Sequence, residues 1–164
     1  MDNKTLRLYG QLLKDGASIK FIHDLNQDEL DILYDYGVSL FKKKRHLDAK
    51  NIFTNLILID HYNFDYHFSL GLVLQVMGDF TSSLFCFSSA GKINQMEPKT
   101  YYYLALSYKA LGFKEESLKS LDMACRLCSS KKKFHSLKIK SSLMMAKLQI
   151  FDDIQKEGVG DEMC

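Results

Sequence analysis

Cys125 and Cys128 stand three residues apart in "CRLC", a spacing used both for zinc and for thiol–disulfide exchange. Zinc needs four donors, and neither a second cysteine pair nor a histidine cluster lies nearby. Redox use of the motif goes with a preceding strand, whereas this pair falls on an expected helix. Cys86 belongs inside another expected helix and Cys164 ends a polar tail, so all four cysteines read as reduced. The histidines, His23, His46, His61, His67 and His135, are scattered, with no nucleophile arranged around them and no phosphate-binding glycine loop. His61 and His67, six apart, would not share a helix face. The run "KKKFHSLKIK" from Lys131 concentrates positive charge, but lysines on a solvated helix face explain it, and aromatic interleaving is slight. These residue types imply no enzyme, no cofactor and no metal. What remains is the chemistry of surfaces.

Those surfaces need elements to hold them. The 164 residues suffice for one domain that buries most of its apolar surface. Hydrophobic residues form 46% and charged residues 26%, which places the chain among globular rather than disordered proteins. A single proline and no tryptophan favour long helices. The net charge of +2 is too small to argue for nucleic acid. No apolar run reaches the roughly 20 residues that span a bilayer, and "MDNKTLRLYG" lacks the basic-then-apolar order of a signal peptide. A cytoplasmic location follows as the expectation.

The organisation is a repeat. "LYDYGVSLFKKKRHLDAKNIFTNL" from Leu33, "HFSLGLVLQVMGDFTSSLFCFSSA" from His67 and "YYYLALSYKALGFKEESLKSLDMA" from Tyr101 align without gaps at a period of about 34. Gly37, Gly71 and Ala105 coincide, as do Phe53, Phe87 and Leu121, and Ala49, Ser83 and Ser117. Gly78 and Gly112 mark the turn of the second and third units, where Lys44 stands in the first. This is the tetratricopeptide pattern. Each unit is two antiparallel helices, with small residues where backbones approach and large apolar ones between layers.

The expected fold is all-α, three such hairpins in a right-handed superhelical stack with a flanking helix at each end. Residues 1–25 read as an N-terminal helix and linker, 26–131 as the repeats, 132–155 as a capping helix and 156–164 as a flexible tail. Asn26 is the expected first N-cap, because "NQDE" puts Glu29 at the capping-box position. Pro98 suits the first turn of the third unit. The capping helix shows Phe134, Leu137, Met144, Leu148 and Phe151 at helical spacing.

Packing between repeats leaves one stripe of each first helix unused. The stripes are Tyr34, Val38 and Phe41; Phe68, Leu72 and Gln75; and Tyr102, Leu106 and Lys109. An aromatic recurs at one register, followed a turn later by a branched aliphatic. An exposed apolar groove of that kind marks a peptide or protein site. Extended peptides suit it, since spaced pockets take alternate side chains.

At these residues the chain closely resembles the tetratricopeptide, or class II, translocator chaperones of bacterial type III secretion systems. The likeness is carried by "LYDYGVSLF", by the "DHY" between the first two units, by the "LGL" and following "Q" and "G" of the second, and by "EP" opening the third. It covers about Gly16 to Ala124. The resemblance implies a small cytosolic protein that holds a hydrophobic translocator soluble and apart until secretion, without a nucleotide cycle. It implies that an extended N-terminal segment of the translocator enters the groove at Tyr34, Val38, Phe41, Phe68 and Leu72. It also implies homodimerisation through the N-terminal helix, at Leu6, Tyr9, Leu12 and Leu13. The chain departs from the family pattern in having "KKKRH" where a glycine usually precedes the second helix, His46 in place of a common tyrosine at the groove rim, and Ser83 and Ser117 where alanine is expected. A general tetratricopeptide adaptor is the alternative reading. The subtype that clamps acidic C-terminal tails is excluded, because Tyr34, Val38, Phe68 and Leu72 would desolvate a carboxylate without pairing it.

Overall fold

The computed structural model describes Arg7, Gly10, residues 26–129 and residues 132–158, with side chains up to Ile150. Among these residues every regular element is helical. In chain order they are α1 (Gln27–Lys42), α2 (His46–Ile59), α3 (Phe64–Val76), α4 (Phe80–Ile93), α5 (Pro98–Ala110) and α6 (Lys114–Cys128). A 3₁₀ turn, Lys132–Phe134, then leads into α7 (His135–Gly158). The chain divides into two compact units, with the boundary falling between Asn94 and Gln95. The first contains α1 to α4, the second α5 to α7.

Local chemistry starts each helix where the sequence places it. The Asn26 side chain accepts from the Glu29 amide, and the Asn26 amide donates to the Glu29 carboxylate, each at 3.0 Å. This closes the expected capping box. Asn63 caps α3 through the Asp65 amide at 3.0 Å, and Asp79 caps α4 through the Ser82 amide at 3.0 Å. That amide hydrogen bond holds the Asp79 carboxyl below its ordinary pKa. Pro98 occupies the first turn of α5 behind Glu97, whose side chain accepts from the Lys99 amide. The hairpin turns need a left-handed residue. Gly78 and Gly112 supply φ of 82° and 81°, while Lys44 adopts φ 60° in the first hairpin. A side chain in that region costs roughly 1–2 kcal/mol, so the first turn is the strained one.

The first unit's core lies between α1, α2, α3 and α4, with Leu33, Phe53, Leu56, Val73 and Phe87 essentially inaccessible. Gly37 and Gly71 make it possible. A Cβ at Gly37 would meet the Phe53 ring at 2.8 Å, and one at Gly71 the Phe87 ring at 2.7 Å. At the equivalent positions of the third hairpin, buried Ala105 goes with buried Leu121. Glycine accompanies phenylalanine and alanine accompanies leucine, so the summed volume is kept. Gly71→Ala should therefore destabilise by about 1 kcal/mol net, overpacking outweighing the gain in helix propensity. Phe87→Leu in the same chain should recover most of that loss. A urea titration of the two variants decides this, and an unchanged or raised midpoint for Gly71→Ala alone would refute it.

Ser83 and Ser117 keep the alanine-like positions without leaving a hydroxyl unsatisfied. Both are fully buried, and their Oγ atoms donate to the Phe80 carbonyl at 2.8 Å and the Ala105 carbonyl at 2.9 Å. The C-terminal helix departs from expectation. It begins with a 3₁₀ turn and continues to Gly158, so residues 156–158 are helical where a tail is expected. The reason is continuous propensity: "DDIQKE" contains no glycine or proline that would stop the helix before Gly158. Leu6, Tyr9, Leu12 and Leu13 lie outside the described residues. Gly10 is buried, and a Cβ there would come within 2.6 Å of the Tyr36 ring on α1.

Candidate peptide-binding groove

In the first unit, α1 and α3 stand side by side, and the sequence-assigned stripes fall on them as half-buried residues. Tyr34, Val38 and Phe41 are neither core nor fully exposed, and the same holds for Phe68, Leu72 and Gln75. Their neighbours at packing positions, Leu33, Gly37 and Leu40, then Leu70, Gly71 and Leu74, are buried. Along both helices the packing positions are thus more deeply buried than the stripe positions, although Tyr34, Val38 and Phe41 also touch the core. This difference also explains why α3 is apolar all round: one side seals the unit and another side remains accessible.

The accessible aromatics rest on a buried aromatic floor. The Tyr34 ring lies 5.7 Å from Phe53 and 5.8 Å from Tyr66, while Phe68 meets Phe87 edge-on at 5.7 Å. Such contacts fix the rings before any ligand arrives. Tyr34 Oη and Ser69 Oγ share a hydrogen bond of 3.1 Å, tying α1 to α3. Partial burial raises the Tyr34 pKa, so the phenol remains protonated at neutral pH. Its oxygen is already engaged with Ser69 before any ligand arrives.

Two contributors escape the repeat pattern. Phe64, at the start of α3, stacks on Phe68 with centroids 5.5 Å apart and planes at 17°. Its signal was the four-residue spacing, which places the two rings on one helix face. His46, opening α2, packs its ring 5.4 Å from Phe41 and forms the edge of the strip. The repeat period does not mark it, but the family resemblance does, since a tyrosine is common at this place on the groove rim.

In the second unit, Tyr102 and Leu106 are half-buried on α5 and Lys109 is exposed. Tyr103 meets Tyr102 edge-on at 5.5 Å, and burial raises its pKa. Lys109 opens onto a cavity of about 480 Å³ that it lines together with Gly112, Lys114, Lys147 and Leu148.

The titratable groups elsewhere are structural. The His67 ring is buried, with Nε2 2.9 Å from the His61 carbonyl oxygen, so these two residues meet through backbone rather than as paired rings. Burial pushes the Cys86 thiol up to about 11, which keeps it protonated and unreactive at neutral pH. Cys125 Sγ lies 3.5 Å from Ser142 Oγ, and buried Cys128 has a raised pKa. Among the described residues, no three His, Cys, Asp or Glu side chains gather as a metal site would require. None of their helices is long and apolar enough to cross a membrane.

Stacked helical hairpins with glycine-backed aromatic floors and a half-buried apolar strip define a tetratricopeptide-type binding protein. Comparison with known proteins narrows this. No family model matches the chain. The low calcium response locus protein H of Yersinia pestis is 24% identical over 147 residues, covering 90% of this chain and 88% of that protein. The type III secretion translocator chaperone SycD of Yersinia enterocolitica superposes with a TM-score of 0.77 at 23% identity, over 82% of this chain and 93% of SycD. PcrH, solved in complex with the chaperone binding region of PopD, gives 0.77 at 23% identity over 79% of this chain and 98% of PcrH. The homologues and structural neighbours are class II type III secretion translocator chaperones, a non-enzymatic class with the tetratricopeptide-like fold.

Proposed function

We propose that this chain is a bacterial cytoplasmic chaperone of type III secretion, which holds a hydrophobic translocator soluble, unassociated and ready for export. The half-buried strip of Tyr34, Val38, Phe41, Phe68 and Leu72 carries the reading, since these residues keep apolar surface accessible even where they also rest on the core. An extended N-terminal segment of the translocator would lie along it, removing its apolar side chains from water. Gln75 offers a polar group at the end of the α3 stripe, and Tyr102, Leu106 and Lys109 repeat the register on α5. Residues 26–131 act as the repeat array and 132–155 as its terminal helix. Residues 1–25 supply a homodimer contact through Leu6, Tyr9, Leu12 and Leu13. Action is stoichiometric and needs no cofactor.

The test is co-expression with the tagged N-terminal region of a type III translocator, beside a pull-down from the native host read by mass spectrometry. A soluble, stoichiometric complex with a protein that carries transmembrane stretches is the expected outcome. A translocator segment left aggregated, with only partners that lack apolar stretches recovered, would favour the adaptor reading instead.

A further inference from the structure

The inward face of α7 is the one its sequence advertises: Leu137, Met144 and Leu148 are half-buried and Ser141 is fully buried. The opposite face is apolar too. Ile139, Leu143 and Ile150 are 54%, 55% and 57% exposed, and Ala146 is exposed between them. Their spacings of four, three and four residues are those of a helix-pairing seam. Lys140 and Lys147 border this seam on one side, Lys138, Ser142 and Gln149 on the other. Lys147 also lines the cavity of about 480 Å³ with Lys109 and Lys114. From Lys132 to Ile150 there are five lysines and no acidic residue.

We infer that the outer face of α7 docks an amphipathic helix of a protein partner, with apolar residues in heptad spacing and carboxylates along one border. The apolar positions would meet Ile139, Leu143 and Ile150. The carboxylates would face Lys140 and Lys147, and one acidic side chain would reach the lysine-lined cavity. Charge complementarity selects this occupant. A parallel second copy of the chain would bring the same lysines to the contact, while the helix's acidic residues, Asp152, Asp153 and Glu157, all follow Ile150. An anionic bilayer would match the charge, but a flat surface offers nothing to enter the cavity. This surface is separate from the strip on α1 and α3 and does not rest on the reading given to it.

The experiment uses the full chain and two fluorescein-labelled synthetic peptides of three heptads. Both carry leucine at the seam positions; one has glutamate along its border and the other has lysine. Anisotropy titrations should show the acidic peptide binding about tenfold or more tightly than the basic one, with affinity falling as salt rises. Leu143→Ser should weaken the acidic peptide about tenfold. Lys140→Glu with Lys147→Glu should reverse the preference, while circular dichroism stays unchanged. Absence of binding, or equal binding of both peptides, overturns the inference. So does sedimentation that shows self-association abolished by Leu143→Ser. Flotation with phosphatidylglycerol vesicles that is lost in the charge-reversed variant, without any peptide preference, would assign the face to membranes and overturn it as well.

Discussion

Phe87→Ala is expected to lower the stability of the first unit by about 3–5 kcal/mol. Phe87 is fully inaccessible, and two features of the structure converge on its ring. Gly71 has no side chain because the ring fills that space, with a hypothetical Cβ only 2.7 Å away. Phe68 rests edge-on against it at 5.7 Å. Truncation would leave a cavity between α3 and α4, and neither glycine nor the backbone next to it can fill the void. Thermal and urea unfolding followed by circular dichroism measure the loss. A shift worth less than about 1 kcal/mol would mean that the site collapses and that the glycine–phenylalanine pairing is not the organising contact. Binding by this variant should fail along with the fold, so it serves as the control for the next experiment.

Truncating the strip itself should separate binding from folding. Phe68→Ala and Phe41→Ala each remove a half-buried ring that a peptide side chain could cover. A central aromatic at an interface is worth about 2 kcal/mol or more, or roughly a thirtyfold loss in affinity. The pair combined should abolish capture of a translocator segment at micromolar concentration while the helical spectrum persists. Tyr34→Ala is the less clean variant. It also removes the hydrogen bond to Ser69 and contacts with Phe53 and Tyr66, so part of its effect would be structural. Tyr34→Phe isolates the hydroxyl, and with the oxygen already bonded to Ser69 it should alter binding little. Normal binding by Phe41→Ala with Phe68→Ala would remove the strip from consideration and direct attention to the N-terminal segment or α7.

The hairpins were legible in the sequence because their causes are local. Asn26 with Glu29, Asn63, Asp79 and Pro98 start helices through groups within three residues. Gly78 and Gly112 turn the chain because only their own φ matters there. Repetition marked Gly37 with Gly71 and Phe53 with Phe87 as equivalent positions, but only the structure shows that each ring fills the space beside its glycine. The identity of the surplus positions on α1 and α3 followed by subtraction once the packing positions were known.

What the tertiary structure decided is which apolar surface is covered and which polar atom is engaged. The Tyr34 hydroxyl spends itself on Ser69, thirty-five residues along the chain, and no periodicity reports such a pair. His46 reaches the strip from α2, and Lys109, Lys114 and Lys147 meet from three different helices. On α7 the spacing of apolar residues fits two opposite faces, and the sequence reading took only the one with Leu137 and Leu148. Hydrophobic periodicity shows that a helix face is apolar, but not whether a neighbour lies against it. That depends on where other elements end, a property of the folded chain and not of the segment.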